Sequence, residues 1–211
     1  MAARKNPETE RMRTEAMKKF DIENRKGAVL AGVDEAGRGP LAGPVFAAAV
    51  ILDDDVIIEG IDDSKKLTEK KREELFDEIC VKAHAFAICS VDEKRIDEIN
   101  ILQATFEAMR GAVDKLSVVP DYIFVDGNRS PGLEIVHETV VKGDSKSMSV
   151  AAASVLAKVS RDRYITKMSE LYPGYGFEKH KGYGTKAHYE AIENLGICPI
   201  HRKTFLKKII G

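Results

Sequence analysis

The chain has 211 residues, of which 44% are hydrophobic and 32% charged, and its net charge of −1 suits one soluble domain with a sizeable core. The sequence has no run of about 20 apolar residues that could span a bilayer and no apolar stretch near its start typical of a signal peptide, so we expect a cytoplasmic protein. Three scattered cysteines, without a Cys-x-x-Cys spacing, predict no disulfide framework and no zinc site.

The first third of the chain predicts a charged helix, a strand pair and a second helix. Residues 1–27 would form a solvated helical extension, although its apolar side chains would also suit a frayed helix that lies on the rest of the protein. These side chains are Met12, Met17 and Phe20. Residues 28–33 and 44–52 are apolar runs typical of buried strands, and the short link between them favours an antiparallel hairpin. Residues 68–82 have a helical period, with Thr68 as the N-cap.

The remaining two thirds predict further strands and helices. Strands are expected at 83–91, 122–125 and 133–140, and helices at 101–116, 145–172 and 186–195. Three consecutive alanines at 151–153 would let the longest helix pack closely against a sheet. The last helix would end at Gly196. This order of elements indicates an α/β fold, with a mixed five-stranded sheet flanked by helices and a C-terminal helical segment.

Residues 37–42 match the G-x-G-x-x-A pattern of a dinucleotide-binding turn, but their surroundings argue against a nucleotide cofactor. The pattern requires a helix after the turn, whereas residues 44–52 are strand-like. Asp34 and Glu35 directly precede the turn, and two carboxylates would repel a pyrophosphate unless a cation lay between them. We therefore expect no nucleotide cofactor site.

Acidic residues follow two of the predicted strands and precede the longest helix. Asp34 and Asp126 each end a strand, and Asp144 lies just before the helix, so the three carboxylates could meet at one edge of the sheet. Such ligands suit Mg²⁺ or Mn²⁺, and two ions about 4 Å apart could hold both oxygens of a phosphoryl displacement. Asp34 and Asp126 could instead be turn residues, and Asp144 a helix N-cap. Glu35 could be a solvated neighbour.

Six segments of the sequence together resemble the bacterial ribonuclease HII family. They are, in chain order, GVDEAGRGPLAGPV, DDSKKL, NILQATFEAMR, VDGN, KGDSKSMSVAAASVLAK and YPGYGFEKHKGYGT. The resemblance runs from about residue 28 to about residue 205 and leaves the N-terminal extension outside. It implies a ribonuclease H-like catalytic domain over residues 28–211, with a basic helical part from about residue 172.

The resemblance implies a metal-dependent endonuclease that cleaves the RNA strand of RNA–DNA hybrids and nicks 5′ to single ribonucleotides embedded in duplex DNA. The products would carry 3′-hydroxyl and 5′-phosphate ends, which suits ribonucleotide excision repair. The family's metal-binding and catalytic acids fall on Asp34, Glu35, Asp126 and Asp144. The implied partners are these nucleic acid duplexes and two Mg²⁺ or Mn²⁺ ions, with no membrane, and we expect a monomer.

The family's substrate contacts also have matching residues in this chain. They are Gly37, Arg38, Gly39, Lys65, Lys66 and Tyr183. In the family, the backbone of the glycine-arginine-glycine motif contacts the 2′-hydroxyl and the tyrosine reads the substrate. The match leaves open which of the two lysines approaches the scissile phosphate. The related ribonuclease HIII is a competing resemblance, but it carries an additional N-terminal domain for which too few residues precede the first strand, and Tyr183 favours ribonuclease HII.

Positive charge is concentrated in the last third of the chain. Residues 141–211 contain 13 Lys and Arg against 6 Asp and Glu, a net +7, which leaves −8 for residues 1–140. This asymmetry hints at a polyanion partner. The expected phosphate contacts are Lys179, Lys181, Lys186, Arg202, Lys203, Lys207 and Lys208. The histidines His180, His188 and His201 could also contact the backbone or could be structural. A hybrid-binding protein without catalysis would need this basic face but not four converging acids.

Overall fold

The computed structural model describes residues 7–25 and 27–207, and five strands in this part of the chain form one mixed sheet. The strands are β1 (Leu30–Ala36), β2 (Val45–Ile51), β3 (Ala85–Val91), β4 (Tyr122–Asp126) and β5 (His137–Val140). Their order across the sheet is β3-β2-β1-β4-β5. The first three strands pair antiparallel, whereas β4 is parallel to β1 and β5 is parallel to β4. The predicted five-stranded sheet and its antiparallel hairpin are confirmed.

Helices cover both faces of the sheet. They are α1 (Pro7–Asn24), α2 (Glu69–Lys82), α3 (Glu93–Asp114), α4 (Met148–Leu171), α5 (Phe177–His180) and α6 (Lys186–Leu195). The apolar side of α3 packs on one face of the sheet, and α2 and α4 pack on the other. Within the described residues, no helix is both long enough and apolar enough to cross a bilayer.

Most of the predicted boundaries hold, and the differences have local causes. Thr68 caps α2 and Gly196 ends α6, as expected. The helix expected at 101–116 is extended backwards as α3, because a second short helix joins it across a kink at Asn100. The strand expected over 133–140 is shorter and consists of β5 alone. The N-cap interpretation of Asp144 is wrong, because the hydroxyl of Ser147 caps α4 instead.

Helix α4 lies unusually close to β1 because Gly32 has no side chain. A Cβ atom at this position would overlap the backbone of Ser149 and Val150 in the first turn of the helix. The three alanines at 151–153 are fully buried against the same face of the sheet, which confirms the close packing predicted from their size. The first turn of α4 is therefore fixed directly over β1, the strand that carries Asp34.

The N-terminal extension is helical, as predicted, but one side of it is buried rather than solvated. Met17 is buried and Phe20 is partly buried, as expected of a helix that lies on the rest of the protein, whereas Met12 is 65% exposed. The carboxylate of Asp21 accepts hydrogen bonds of 2.9 Å from both the amide and the hydroxyl of Ser149. Helix α1 thus caps the first turn of α4. The division into an extension and a catalytic domain stays a prediction.

We expect Gly32→Ala to lower the free energy of unfolding by about 3 kcal/mol or to prevent folding, because the added methyl group must displace the α4 backbone. Urea denaturation followed by circular dichroism measures the change. Gly39→Ala is the matched control, since its Cβ would lie 3.5 Å from the Tyr183 ring, an ordinary contact. Equal stability of the two variants would contradict the close approach at Gly32.

Candidate active site

Asp34 and Asp126 lie side by side where the parallel pairing of β1 with β4 ends. Asp126 is the last residue of β4, whereas β1 continues for two residues beyond Asp34, so the expectation that Asp34 ends its strand is wrong. Val33 of β1 is paired with Val125 of β4, so each aspartate is the next residue along its strand. Neighbouring strands are about 4.8 Å apart, and residues in the same parallel register point to the same face of the sheet. That face is the one covered by α4, whose Ser154 hydroxyl hydrogen-bonds the Asp34 carboxylate. The structure therefore brings these two predicted acids together.

Asp144 reaches the same sheet edge because the residue before it, Gly143, is hydrogen-bonded to Asp126. A single helical turn, Gly143–Ser145, lies between β5 and α4, and it carries Asp144. The Gly143 amide donates a 2.7 Å hydrogen bond to Oδ1 of Asp126, so one acid anchors the turn that holds the other. Asp144 is buried, and its pKa is raised by that burial and then by the charge of Asp126.

Glu35 begins on the opposite side of the sheet from Asp34, because successive side chains of a strand alternate. Its carboxylate pairs with Arg38 at 3.3 Å and is 15% exposed. Burial raises the pKa of Glu35, the nearby guanidinium opposes this rise, and the charge of Asp126 adds to it. Glu35 and Asp126 also line one cleft of about 410 Å³ on the α3 side. Glu35 is thus close to Asp126 while its side chain is tied to Arg38.

Electrostatic strain is greatest at Asp34. Burial raises its pKa well above the ordinary value, and the charges of Glu35 and Asp126 raise it further. Lys65 is the cation that Asp34 attracts. Burial alone would lower the pKa of this ammonium group, but attraction to Asp34 and to the other acids of the site outweighs it, so the net shift is upward. These pKa shifts indicate that the negative charge of the carboxylates exceeds the positive charge that Lys65 supplies.

Lys65 and Lys66 have different surroundings. Lys65 lines the cleft that also contains Glu35, and attraction to Asp34 and the other acids raises the pKa of its ammonium group. The Lys66 ammonium instead donates to the Ser145 hydroxyl at 3.2 Å and lies 3.4 Å from a carboxylate oxygen of Asp62. Of the two lysines, Lys65 is therefore the one directed into the site, and its role there stays a prediction.

The acids suit a divalent cation in their chemistry. Hard carboxylate oxygens are the ligands of Mg²⁺ and Mn²⁺, and the crowded buried charges would be relieved by a cation. Within residues 7–25 and 27–207, no group of three or more His, Cys, Asp or Glu side chains is gathered into a finished ligand set. Mg²⁺ does not require one, because it usually takes one or two carboxylates and completes its shell with water and phosphate oxygens. Asp34 and Asp126 are the pair best placed to hold it.

A second cleft, of about 530 Å³, opens beside the acids and contains most of the predicted substrate contacts. It is lined by Glu35, Gly37, Arg38, Gly39, Lys65 and Tyr183, together with residues of α3 and α4. The Tyr183 ring is 44% exposed and lies against Gly39, where a Cβ atom would be 3.5 Å from it. Five of the six predicted substrate residues therefore share one cleft, and Lys66 lies outside it.

Arg202, which the sequence suggested as a phosphate contact, is fully buried and cannot serve as one. Its guanidinium donates hydrogen bonds to the carbonyls of Gly37 at 2.6 Å, Arg38 at 3.0 Å and Gly43 at 2.8 Å. Burial lowers the pKa of Arg202 to about 9, so it remains charged at neutral pH. The true role of this side chain is to hold the glycine-rich loop that follows β1.

Arg161 is a second buried arginine, and sequence reasoning missed it. It extends from α4 and donates to the Ala42 carbonyl at 3.1 Å and to the Lys181 carbonyl at 3.0 Å. It therefore joins the glycine-rich loop to the loop that carries Tyr183. Its position on the helix offered no signal, because an arginine in that pattern is usually on a solvated face.

The exposed basic residues of the last third are fewer than expected. Lys179, Lys186, Lys203 and Lys207 are exposed, whereas the Lys181 ammonium bonds Thr166 and the Glu178 carbonyl, and Lys208 lies outside the described residues. The open question about the histidines is resolved in favour of a structural role. His188 and His201 are fully buried, and His180 is partly buried.

Known proteins match this chain over nearly its whole length. A family model for ribonuclease HII matches residues 31–208. A ribonuclease HII of Caldicellulosiruptor saccharolyticus is 60% identical over 181 residues, covering 86% of this chain and 88% of that protein. The crystal structure of ribonuclease H2 from Pyrococcus horikoshii has a TM-score of 0.69 and 33% identity, covering 83% of this chain and 92% of that one. Bst-RNase HIII in complex with Mn²⁺, at 19% identity and a TM-score of 0.65 over 82% of this chain and 65% of that one, is similar in fold alone.

We expect Asp34→Asn to raise the melting temperature of the metal-free protein, because the amide removes a buried charge. A carboxyl whose pKa is higher in the folded state favours folding most when protonated, below about pH 4, and loses this contribution as the pH rises through the raised pKa. The advantage of the variant should therefore grow with pH. Differential scanning fluorimetry of both proteins in EDTA, from about pH 4 upward, measures the difference in melting temperature. An advantage that shrinks with rising pH would contradict the pKa shift, and Mg²⁺ should stabilise the wild type more than the variant.

Proposed function

The chain belongs to the ribonuclease HII family, as its motifs predict, and we propose that this endoribonuclease uses divalent cations to nick duplex DNA 5′ to single ribonucleotides as well as to cleave the RNA strand of RNA–DNA hybrids. The observation that carries the proposal is the placement of Asp34 and Asp126, each one residue beyond the last paired residues of β1 and β4, beside the cleft of Gly37, Gly39 and Tyr183. Glu35 and Arg38 line both this cleft and the one that contains Asp126, so the acids and the proposed sugar pocket would adjoin.

The acids supply the place where the scissile phosphate is held. Bound cations would neutralise charge on the transferring phosphoryl group and lower the pKa of the attacking water. Asp34 and Asp126 would hold the cations, Asp144 is brought to the same edge by the Gly143 turn, and Glu35 would approach from the α3 side. The Lys65 ammonium, already drawn to the acids, would contact the phosphate and help to orient it.

The glycine-rich loop and Tyr183 would distinguish RNA from DNA. A protein recognises a ribonucleotide by its 2′-hydroxyl, and glycines let the backbone approach a sugar closely because they carry no Cβ. The carbonyls of Gly37 and Arg38 are already fixed by Arg202, so the loop would meet the sugar in a set shape. The ring of Tyr183 would pack on the next sugar, where an extra hydroxyl would not fit. We therefore expect cleavage where a ribonucleotide is followed by a deoxyribonucleotide.

The exposed lysines of the last third would bind the phosphate backbone without reading sequence, so affinity should fall as salt rises.

A hybrid-binding protein without catalysis remains the competing function. It is disfavoured by the cost of burying carboxylates of like charge, which a binding surface does not need. Action as a monomer in the cytoplasm, within ribonucleotide repair, stays a prediction.

We expect Asp126→Asn to reduce Mg²⁺-dependent nicking of a duplex with one ribonucleotide by about 10³-fold, while binding of that duplex is retained. The asparagine keeps a carbonyl oxygen for the Gly143 amide, so the fold should survive. Gel analysis of end-labelled duplex gives the rate, and fluorescence anisotropy gives the affinity. Asp114→Asn, which changes an exposed acid at the end of α3, is the control. Wild-type rates in Asp126→Asn would contradict the proposed role of the acids.

We expect Tyr183→Ala to slow nicking at a single embedded ribonucleotide by about tenfold or more, and to slow cleavage of a continuous RNA strand less, because the stacking ring is lost. Folding should be unaffected, since the ring is 44% exposed. Tyr183→Phe keeps the ring and should keep the preference between the two substrates. The proposed reading of the RNA–DNA junction would be wrong if Tyr183→Ala had the same preference as the wild type.

A further inference from the structure

The backbone of Tyr183 is bonded to a chain of buried histidines. His188 comes from α6, and His201 comes from the segment after it. Their Nε2 atoms are 3.1 Å apart, and the ring of Phe177 packs against both. Because each neutral imidazole has one donor and one acceptor nitrogen, the neighbours of these rings determine where each proton lies.

Cys198 determines the proton of His201. The Cys198 amide donates a 2.9 Å hydrogen bond to Nδ1 of His201, and the Cys198 thiol is 3.1 Å from the same nitrogen. An atom that accepts an N–H bond carries no proton, so Nδ1 is the acceptor and Nε2 carries the hydrogen. The Cys198 carbonyl is farther from Nδ1, at 3.3 Å, and already accepts the His201 amide. His201 is therefore the Nε2–H tautomer.

The proton of His201 in turn determines that of His188. The Nε2–H group of His201 points at Nε2 of His188, which must accept it. His188 then carries its proton on Nδ1, and Nδ1 lies 3.0 Å from the carbonyl oxygen of Tyr183, which can only accept. All contacts agree with one arrangement, in which hydrogen bonds run in a single direction from Cys198 through His201 and His188 to Tyr183.

We propose that His188 is a positioning residue for Tyr183, held in its Nδ1–H tautomer by His201, and that this bond sets the angle at which the tyrosine ring meets Gly39 and the substrate sugar. The proposal rests on the proposed function, because it concerns how the same ring reads the RNA–DNA junction. It adds two buried residues, neither of which touches the substrate, to the determinants of specificity.

A third histidine, His180, holds the backbone amide of Tyr183. His180 accepts the Gly182 amide at Nδ1 and donates from Nε2 to the Tyr175 carbonyl at 2.8 Å. Its own carbonyl accepts the amide of Tyr183 at 2.9 Å, and its ring stacks on His188 with 4.4 Å between centroids. His180 thus holds the amide of Tyr183, and His188 holds its carbonyl together with the Thr185 amide, which donates to the same oxygen at 2.8 Å.

The arrangement requires neutral rings, and burial supplies them. Desolvation lowers the pKa of His188 to about 4 and also lowers the pKa of His201. A charged His188 would place two N–H groups against each other at Nε2. At neutral pH both rings are uncharged, so the bond to Tyr183 is intact under the conditions in which the enzyme would work.

Two substitutions of His188 separate the bond to Tyr183 from the filling of the core. In His188→Asn, the side-chain amide nitrogen takes the place of Nδ1 and can still donate to the Tyr183 carbonyl. In His188→Gln, the amide reaches the position of Nε2, so the contact with His201 is kept and the one with Tyr183 is lost. Both variants remove an aromatic ring from the same site and should lose similar stability.

The readout is the ratio of kcat/KM for a duplex with one ribonucleotide to that for a continuous RNA–DNA hybrid. We expect His188→Gln to lower this ratio about tenfold, since misplacing a substrate-positioning group by about 1 Å is enough for such losses. His188→Asn should keep the ratio within about twofold of the wild type at the same temperature below melting. If His188→Asn and His188→Gln had equal ratios while Tyr183→Ala lowered the ratio, the inference would be overturned. The proposed function would then remain intact.

If Tyr183→Ala itself left the ratio unchanged, the proposed reading by the tyrosine would be wrong and the inference would fail with it. Nitrogen-15 NMR of the wild-type histidines provides a test that does not depend on any variant folding. The expected spectrum at neutral pH shows a neutral His188 protonated on Nδ1 and a neutral His201 protonated on Nε2. Finding His188 protonated on Nε2, or charged, would overturn the inference.

Discussion

The close approach of α4 to β1 is the constraint on which the site depends. Gly32 lets the first turn of the helix rest on the strand, and that contact fixes the turn in front of the helix, where Asp144 lies. The parallel pairing of β1 with β4 places Asp34 beside Asp126 on the same face. A shift of α4 would move the turn that carries Asp144 away from Asp34 and Asp126 and would break the contact between Ser154 and Asp34, so the packing of this helix decides whether the three acids meet.

The site and the fold make opposite demands on free energy. The sheet and its helices bury apolar side chains, which stabilises the chain, whereas the acids at the sheet edge are buried next to charges of the same sign. Lys65 offsets only part of this repulsion. The cost is confined to one end of two strands, so the rest of the sheet can hold the acids in place without a bound cation. Preorganised charge of this kind is typical of sites that stabilise a reaction rather than a complex.

The order of elements could be predicted because it depends on local patterns. Thr68 caps a helix through its own side chain, and the strand before Asp34 is recognisable by its apolar run. The site depended on contacts between distant residues, which periodicity does not contain. Arg202 looked like a surface cation because nothing near it in sequence shows the carbonyls it binds. The alternative that Asp144 is the N-cap of α4 is wrong because acidic and hydroxyl residues compete for such positions, and Ser147 adopts the capping geometry.

The two buried arginines fix the shape of the glycine-rich loop through its carbonyls and not through its side chains. The loop backbone is therefore specified by residues more than a hundred positions away, and its own exposed side chains contribute little to that specification. Arg38 is half-exposed, and its carbonyl is held whatever its side chain is. The loop thus offers a point at which an engineer could diversify chemistry at the mouth of the cleft without having to redesign the scaffold beneath it.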